Sequence, residues 1–253
     1  MDFLSLKNIS YKNGNNEILK GLNIEFKKGQ FYIIVGPNGS GKTTLLKTII
    51  KNIVPSKGYI ELEGNNLKNI KARNLASRLS YIPQNTNVDI EFTCYDLVMM
   101  SRNYKLKTFQ SESKKDKDIV IDAMKKMEVL HLKDKAITEI SGGEKQRVIL
   151  ARSIAQETDA IILDEPISNL DIKHQISVME YLKKLREEGK TIITVLHDLN
   201  FALNYADYGI LVSKGKVFSQ GKIEDVITPK TIKEVYGVDS EIIKKNNKSF
   251  VIY

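Results

Sequence analysis

The spacing of apolar residues along the chain predicts a core of buried strands. The continuous apolar runs are Phe31–Val35, Ala160–Leu163 and Thr191–Leu196. Such runs are typical of strands that are covered on both faces. Segments with helical spacing alternate with them, among them Ile172–Glu188 and a segment near Leu199–Ala206 that Asp198 can cap. This alternation predicts an α/β domain with a largely parallel sheet.

Shorter patterns predict antiparallel strands elsewhere. Apolar and polar residues alternate in Leu4–Leu6 and again in Gly21–Phe26, which predicts an antiparallel β region near the start of the chain. Ile210–Ser213 and Lys216–Ser219 flank Lys214-Gly215. Two strand-like runs around such a pair of residues predict a β-hairpin.

Residues 85–140 have a different character and predict a helical insert. Asp96–Met100 and Ile119–Leu130 have helical spacing. Lys105–Lys117 lies between them, is polar and charged, and is predicted to be a surface loop. After Gly221 the pattern predicts one or two short helices and a strand-like end.

These patterns predict one domain with three parts. Residues 1–84 and 141–220 form the α/β core with its β region, residues 85–140 form a helical subdomain, and residues 221–253 form a tail. The end of that tail, Phe250–Tyr253, is the strand-like piece.

Charge and composition exclude some classes of protein. The net charge is +8, from 39 basic and 31 acidic residues, which can favour nucleic acid or anionic lipid. The densest lysine clusters, Lys105–Lys117 and Lys244–Lys248, lack the aromatic interleaving of a strand-binding surface, so no nucleic-acid partner is expected.

Hydropathy and cysteine content indicate a compartment. No run approaches the roughly 18 apolar residues that span a bilayer, and the first residues lack a signal-peptide pattern. Cys94 is the only cysteine, so no intrachain disulfide can form. A cytoplasmic location is expected.

The strongest chemical motif follows the first buried strand. It consists of Gly36, Pro37, Asn38, Gly39, Ser40, Gly41, Lys42, Thr43 and Thr44, and it matches the phosphate-loop pattern G-x-x-x-x-G-K-[ST]. The glycines let backbone N–H groups point at phosphate oxygens. Lys42 is expected to neutralise the β- and γ-phosphates, Thr43 to bind Mg²⁺ and Thr44 to support the α/β-phosphates. The motif predicts binding of a nucleoside triphosphate.

A pair of acids follows another buried strand. Asp164 and Glu165 come directly after Ala160–Leu163. Asp164 can hold Mg²⁺ through its water shell, and Glu165 can polarise an attacking water. Taken alone, the two acids could equally be solvated turn residues, but a phosphate loop needs such partners.

Residues 140–147 resemble a motif of a known protein family. Ile140-Ser141-Gly142-Gly143-Glu144-Lys145-Gln146-Arg147 resembles the signature motif of ATP-binding-cassette (ABC) ATPases. Ile140 and Glu144 depart from the commonest form. The serine and glycines precede a helical run, so they can form a second anion site.

Other motifs of that family occur in the same order, and the resemblance covers essentially the whole chain. Residues 36–44 resemble the Walker A motif, and Asp164 with Glu165 resembles Walker B and its catalytic glutamate. The remaining matches are Tyr11 to the adenine-stacking aromatic, Gln84 to the Q-loop, residues 168–171 with Asp171 to the D-loop, and His197 to the switch histidine. For Tyr11 an exposed strand-end tyrosine remains an alternative. His131 and His174 are given no catalytic role.

The resemblance implies a fold, cofactors and partners. The fold is a P-loop NTPase (RecA-like) core with an N-terminal antiparallel β region and a helical insert. The ligands are ATP and Mg²⁺, the latter bound by Thr43, Gln84 and Asp164, and the catalytic residues are Glu165, His197 and Gln84. Two copies face head to tail, so that Ser141, Gly142 and Gly143 of one copy and its Asp171 complete the other copy's nucleotide site.

The resemblance also implies transport. The ATPase docks on integral membrane permease subunits at the cytoplasmic face of the membrane, with Asn85–Arg102 as the contact, and serves a substrate-binding protein indirectly. Residues 170–175, 197–200 and 227–238 resemble importer ATPases for iron(III)-siderophore, haem and vitamin B12. An importer ATPase for free zinc or manganese and a non-transport ATPase, such as one in iron–sulfur cluster assembly, remain alternatives.

Overall fold

A computed structural model of the chain describes residues 2–84, 91–106, 110–246 and 248–253. The described chain divides into two compact units. The first contains residues 1–70 and 182–253, and the second contains residues 71–181.

The elements follow one another in an order that mixes strands and helices. In chain order they are β1 (Asp2–Asn13), β2 (Asn16–Lys27), β3 (Phe31–Val35), α1 (Lys42–Ile49), β4 (Lys57–Leu62), β5 (Asn65–Asn66), α2 (Ala72–Ala76), β6 (Leu79–Ile82), α3 (Cys94–Met99), α4 (Lys114–Lys126), α5 (Gly142–Ala155), β7 (Ala160–Asp164), α6 (Ile172–Glu187), β8 (Thr191–Val195), α7 (Leu199–Tyr205), β9 (Tyr208–Ser213), β10 (Lys216–Lys222), α8 (Ile223–Val226), α9 (Pro229–Tyr236), β11 (Glu241–Lys245) and β12 (Lys248–Ile252). Short 3-10 turns occur at Leu67–Asn69, Met100–Arg102, Leu130–Leu132 and Ile137–Glu139.

The first unit contains an antiparallel sheet in the order β2-β1-β4-β5. The alternation that predicted β2 is visible in its burial: Ile24 and Phe26 are buried, whereas Glu25 is exposed. In β1, Ser5 is buried together with Leu4 and Leu6. The antiparallel β region is therefore confirmed. Strands β4 and β5, which complete the sheet, were not predicted.

The same unit contains four further strands in the order β10-β9-β3-β8. β3 is parallel to both β8 and β9, and every residue of β3 and β8 is buried, as their continuous apolar runs predicted. The predicted hairpin is confirmed as β9 and β10. Its turn residues, Lys214 at φ 48° and Gly215 at φ 79°, have the positive φ that a two-residue hairpin turn requires.

The second unit pairs β6 with β7 in parallel and packs α3, α4 and α5 together. The prediction of a surface loop over Lys105–Lys117 and a helix over Ile119–Leu130 was wrong at the boundary. The helix α4 begins at Lys114 and ends at Lys126. Ser113 is its N-cap and forms a capping box with Asp116, a signal that the lysine-rich composition concealed. Residues 107–109 of the predicted loop lie outside the described residues.

The tail forms helices and a hairpin. The one or two short helices predicted for the tail correspond to α8 and α9, and the predicted terminal strand is β12, which starts two residues before Phe250. Its antiparallel partner β11 was not predicted. In the described part of the chain, no helix is both long enough and apolar enough to cross a membrane.

Candidate functional site

The glycine-rich loop of residues 36–44 connects β3 to α1. Gly36, Gly39 and Gly41 have φ values of 150°, 74° and 103°, which side-chain-bearing residues rarely adopt. A Cβ on Gly36 would lie 2.0 Å from the Val212 carbonyl oxygen, and one on Gly41 would lie 2.9 Å from the Leu19 side chain. The loop is therefore held against neighbouring backbone in a form that only glycine permits.

The polar groups of this loop point inward. Lys42 is buried, and its Nζ donates to the carbonyl oxygens of Gly36 at 2.7 Å and Pro37 at 3.0 Å. The Ser40 hydroxyl is buried and has no hydrogen-bond partner among the described residues. Thr43 and Thr44, at the start of α1, are half-buried. A concave loop with an inward lysine at a helix N-terminus fits a bound phosphate.

The β9–β10 turn and strand β2 both contact the loop. The Gly215 N–H, in the β9–β10 turn, donates to the Ser40 carbonyl oxygen at 3.2 Å. Tyr11 of β1 pairs with Leu19 of β2, and Leu19 is the residue that faces Gly41. Tyr11 thus lies on β1, beside the strand that contacts the loop, and is half-buried; its adenine-stacking role stays a prediction.

His197 lies at the same edge of the sheet as the loop. It follows β8, where the Leu196 N–H donates to the Ile34 carbonyl oxygen of β3 at 3.2 Å. Because β3 and β8 are parallel, His197 and Gly36 leave adjacent strand ends. The predicted cap is confirmed: the Asp198 carboxylate accepts from the N–H groups of Asn200 at 2.7 Å and Phe201 at 3.1 Å.

In the second unit, the predicted acids lie at the end of β7: Asp164 is its last residue, and Glu165 follows it. Ile82 pairs with Leu163, so Gln84 and Asp164 lie at neighbouring strand ends. Asp164 is fully buried. Burial raises the pKa of Tyr81 to about 12, and the negative charge of Asp164 adds to the rise.

Glu165 has a left-handed backbone conformation, with φ 52°. This region is sparsely populated for residues other than glycine and costs on the order of 1 kcal/mol or more. The turn after it is closed by Ser168, whose N–H and hydroxyl both donate to the Glu165 carbonyl oxygen. Such strain often occurs at functional positions, and no pattern in the sequence indicated it.

Ser141 is the N-cap of α5. Its hydroxyl donates to a Glu144 carboxylate oxygen at 2.7 Å, and that oxygen also accepts from the Ser141 N–H at 2.9 Å. The bond from the Ser141 hydroxyl is the main cause of the lowered pKa of Glu144. The departure from the commonest signature sequence thus forms a capping box.

The predicted D-loop lies beside the signature residues. A Cβ on Gly143 would be 3.7 Å from both the Asn169 carbonyl oxygen and the Leu170 side chain. Asp171 Oδ1 accepts from the His174 N–H at 2.9 Å and lies 2.8 Å from its Nδ1. His174 therefore contacts Asp171 at the start of α6.

Two glutamines that sequence reasoning missed brace this region. Gln146 is buried, and its Nε2 donates to the Pro166 carbonyl oxygen at 3.0 Å. Gln175 Nε2 donates to the carbonyl oxygens of Ile167 at 3.1 Å and Leu170 at 3.0 Å. The available signal was their position in the sequence: Gln146 lies within the signature motif, and Gln175 lies four residues after Asp171 of the D-loop.

The predicted residues thus form two groups. The first unit brings together Tyr11, the phosphate loop and His197. The second brings together Gln84 with Asp164 and Glu165, and Ser141–Gly143 with the D-loop.

Comparison with known proteins gives close relatives along almost the whole chain. The chain is 36% identical over 231 residues to the ferric enterobactin transport ATP-binding protein FepC of Escherichia coli, covering 91% of this chain and 85% of that protein. It is 34% identical over 252 residues to the petrobactin import ATP-binding protein YclP of Bacillus subtilis, covering 99% of each.

Solved structures agree with these relatives. A metal-chelate type ABC transporter in an inward-facing conformation matches with a TM-score of 0.85 and 25% identity, over 99% of this chain and 96% of that chain. A dimeric bacterial ABC transporter cassette matches with a TM-score of 0.79 and 29% identity, over 87% and 98%. The predicted P-loop NTPase fold with its antiparallel region is confirmed. A family model described as ABC transporter matches residues 19–168, and the chain therefore belongs to the family of ABC transporter ATP-binding proteins.

Proposed function

We propose that this chain binds and hydrolyses ATP to drive an ABC importer for an iron(III)-siderophore complex, with haem and cobalamin as related cargoes. The observation that carries ATP binding is the phosphate loop, whose glycines and buried Lys42 suit a bound anion, as does its Ser40 hydroxyl, which has no hydrogen-bond partner in the described part of the chain. The names of the ferric enterobactin and petrobactin relatives support the cargo class.

Each predicted residue has a chemical role in this proposal. Backbone N–H groups of the loop and the N-terminus of α1 bind the phosphates, and Tyr11 stacks on the adenine. Lys42 leaves the carbonyl oxygens that it contacts and turns to the β- and γ-phosphates. Glu165 accepts a proton from the attacking water, and His197 donates to the γ-phosphate as its charge develops.

The oxygen-bearing side chains suit Mg²⁺. Thr43, Gln84 and Asp164 supply a hydroxyl, an amide oxygen and a carboxylate, the hard ligands that Mg²⁺ takes beside phosphate oxygens and water. The cation would neutralise phosphate charge. Asp164 is suited to such a role because it is fully buried at a strand end.

The partners follow from the family. We infer a head-to-tail dimer in which Ser141, Gly142, Gly143 and Asp171 of one copy complete the other copy's site. We also infer docking on permease subunits at the cytoplasmic face of the membrane, with a substrate-binding protein upstream. The proposed permease contact, Asn85–Arg102, includes residues 85–90, which lie outside the described residues.

The test is purification of the chain with its membrane permease. The complex should hydrolyse ATP, and Glu165→Gln should retain the permease but lower the hydrolysis rate by at least about 100-fold, because no carboxylate remains to polarise water. Phosphate release and subunit stoichiometry are the measurements.

Glu188→Gln, at an exposed position after α6, is the matched control and should hydrolyse ATP at the wild-type rate. Undiminished hydrolysis by Glu165→Gln would refute the catalytic role. A fully active chain that never associates with a permease would instead favour a non-transport ATPase.

A further inference from the structure

Two asparagines of α7 hold the terminal strand β12 by its backbone. Asn200 Oδ1 accepts from the Val251 N–H at 2.8 Å. Asn204 Oδ1 accepts from the Ser249 N–H at 3.0 Å, and its Nδ2 donates to the Ser249 carbonyl oxygen at 2.8 Å. These contacts join residues 45 to 51 positions apart.

The geometry explains why asparagines occupy these two positions. Asn200 and Asn204 are four residues apart and so lie on one face of α7. Ser249 and Val251 are two residues apart and so present their backbone groups along one edge of β12. The other edge pairs with β11. The two side chains therefore bond to the free edge of β12 as a neighbouring strand would.

His197 lies directly before Asp198, the N-cap of α7. The helix has only seven residues, too few to be stable without tertiary contacts. Asp198 caps its first turn, so His197 is one residue from the helix. In the first unit, α7 packs more extensively on β12 than on any other element. A shift of α7 therefore moves the histidine.

The tail also reaches the phosphate loop. Burial raises the pKa of Tyr236, at the end of α9, to about 12, and the nearby Tyr253 adds to the rise while a hydrogen bond with the Gly36 backbone opposes it. Tyr236 thus lies against the first glycine of the loop. The tail therefore contacts the backbone of Gly36 through Tyr236 and the helix that follows His197 through β12.

We propose that the hairpin of β11 and β12 positions His197 for ATP hydrolysis, through Asn200 and Asn204. This inference rests on the function proposed above for His197. Asn200 and the tail both belong to segments that resemble the family, but neither had an assigned chemical role. The proposal gives each of them a physical role. Asn200 and Asn204 are positioning residues and do not touch nucleotide.

The test compares Asn200→Ala with Asn200→Asp in the full chain. Alanine removes the acceptor for the Val251 N–H, and kcat for ATP hydrolysis should fall roughly tenfold while the ATP KM stays within about twofold. Amide hydrogen exchange should rise in a peptide covering Leu196–Asn200. Aspartate keeps an acceptor of the same shape and should restore both values.

Asn204→Ala should give the same split between kcat and KM, and Asn15→Ala, in the exposed turn between β1 and β2, is the control that should change neither value. Unchanged exchange at Leu196–Asn200 in Asn200→Ala, or equal losses in Asn200→Asp and Asn200→Ala, would overturn the inference. A wild-type chain without ATP hydrolysis would refute the proposed function instead, and the exchange data would still decide whether the hairpin holds His197.

Discussion

At the scale of single residues, the phosphate loop has no room for a side chain at Gly36. Gly36 combines φ 150° with the Val212 carbonyl oxygen at only 2.0 Å from a built Cβ. That oxygen belongs to β9, the parallel neighbour of β3. Backbone in a sheet cannot move aside, so any side chain at residue 36 must displace the loop itself.

This geometry predicts the effect of Gly36→Ala. The variant should lose measurable affinity for ATP, and its free energy of unfolding should fall by about 2–4 kcal/mol. The added methyl group clashes with fixed backbone, and alanine must adopt an unfavourable φ. Nucleotide binding by calorimetry and unfolding in urea are the measurements.

Gly14→Ala is the matched control for that prediction. Gly14 also has a positive φ, 58°, but a Cβ there would meet no atom within 4 Å. Its cost should be about 1 kcal/mol, with ATP affinity preserved. Equal losses in the two variants would show that backbone conformation alone, rather than the close approach to Val212, shapes the loop.

At the scale of elements, a buried arginine ties the segment after α3 to the signature helix α5. Arg102 is 1% exposed. Its Nε donates to Asp116 Oδ1 of α4 at 3.0 Å, and its Nη1 donates to the Ala155 carbonyl oxygen at the end of α5 and to Glu157 Oε2 at 2.9 Å. One side chain thus fixes α4 and the carboxyl end of α5 to residues 100–102.

Arg102→Leu should lower the free energy of unfolding by about 3–5 kcal/mol, because the carboxylate of Asp116 stays buried without its cation. Lys105→Met removes another cation from Glu157, at 3.1 Å, but this pair is exposed and should cost less than about 1 kcal/mol. Urea unfolding of the two variants is the comparison. Similar small losses would mean that Asp116 is sufficiently satisfied by Ser113 alone.

At the scale of the whole molecule, the two groups of site residues raise the question of how a nucleotide meets both a phosphate loop and a signature motif. The proposed head-to-tail dimer answers it by supplying the signature from a second copy. The Ser141 hydroxyl already donates its proton to the Glu144 carboxylate. To donate to a phosphate in the dimer, it must break this hydrogen bond or divide it between the two acceptors.

The dimer proposal predicts the behaviour of Ser141→Arg in the Glu165→Gln background. The parent variant should form an ATP-dependent dimer, seen by light scattering. Adding Ser141→Arg should leave ATP binding to the phosphate loop intact but keep the chain monomeric, because arginine blocks the face that receives the second nucleotide.

Ser111→Arg, at an exposed position before α4, is the control in the same background and should still dimerise. A dimer that forms equally well with Ser141→Arg would contradict the composite site. Loss of ATP binding by that variant would place Ser141 in its own chain's nucleotide site.

The sequence by itself determined the local chemistry of this protein. A phosphate loop requires its glycines, lysine and threonines within one short segment of the chain. A buried strand that ends in two acids is also a pattern of neighbouring residues. Residues 36–44 and 160–165 were therefore identified without coordinates. Cap and turn residues such as Asp198 and Lys214-Gly215 were predicted for the same reason.

Tertiary structure decided what distant residues do to one another. The partners of Asn204 and Arg102 lie 45 and 55 positions away, and the oxygen that forbids a side chain at Gly36 belongs to Val212. The sequence around a polar side chain does not indicate which distant backbone group it will hydrogen-bond. Their partners depend on the path of the chain, and long-range packing sets this path, as it does where β12 packs on α7.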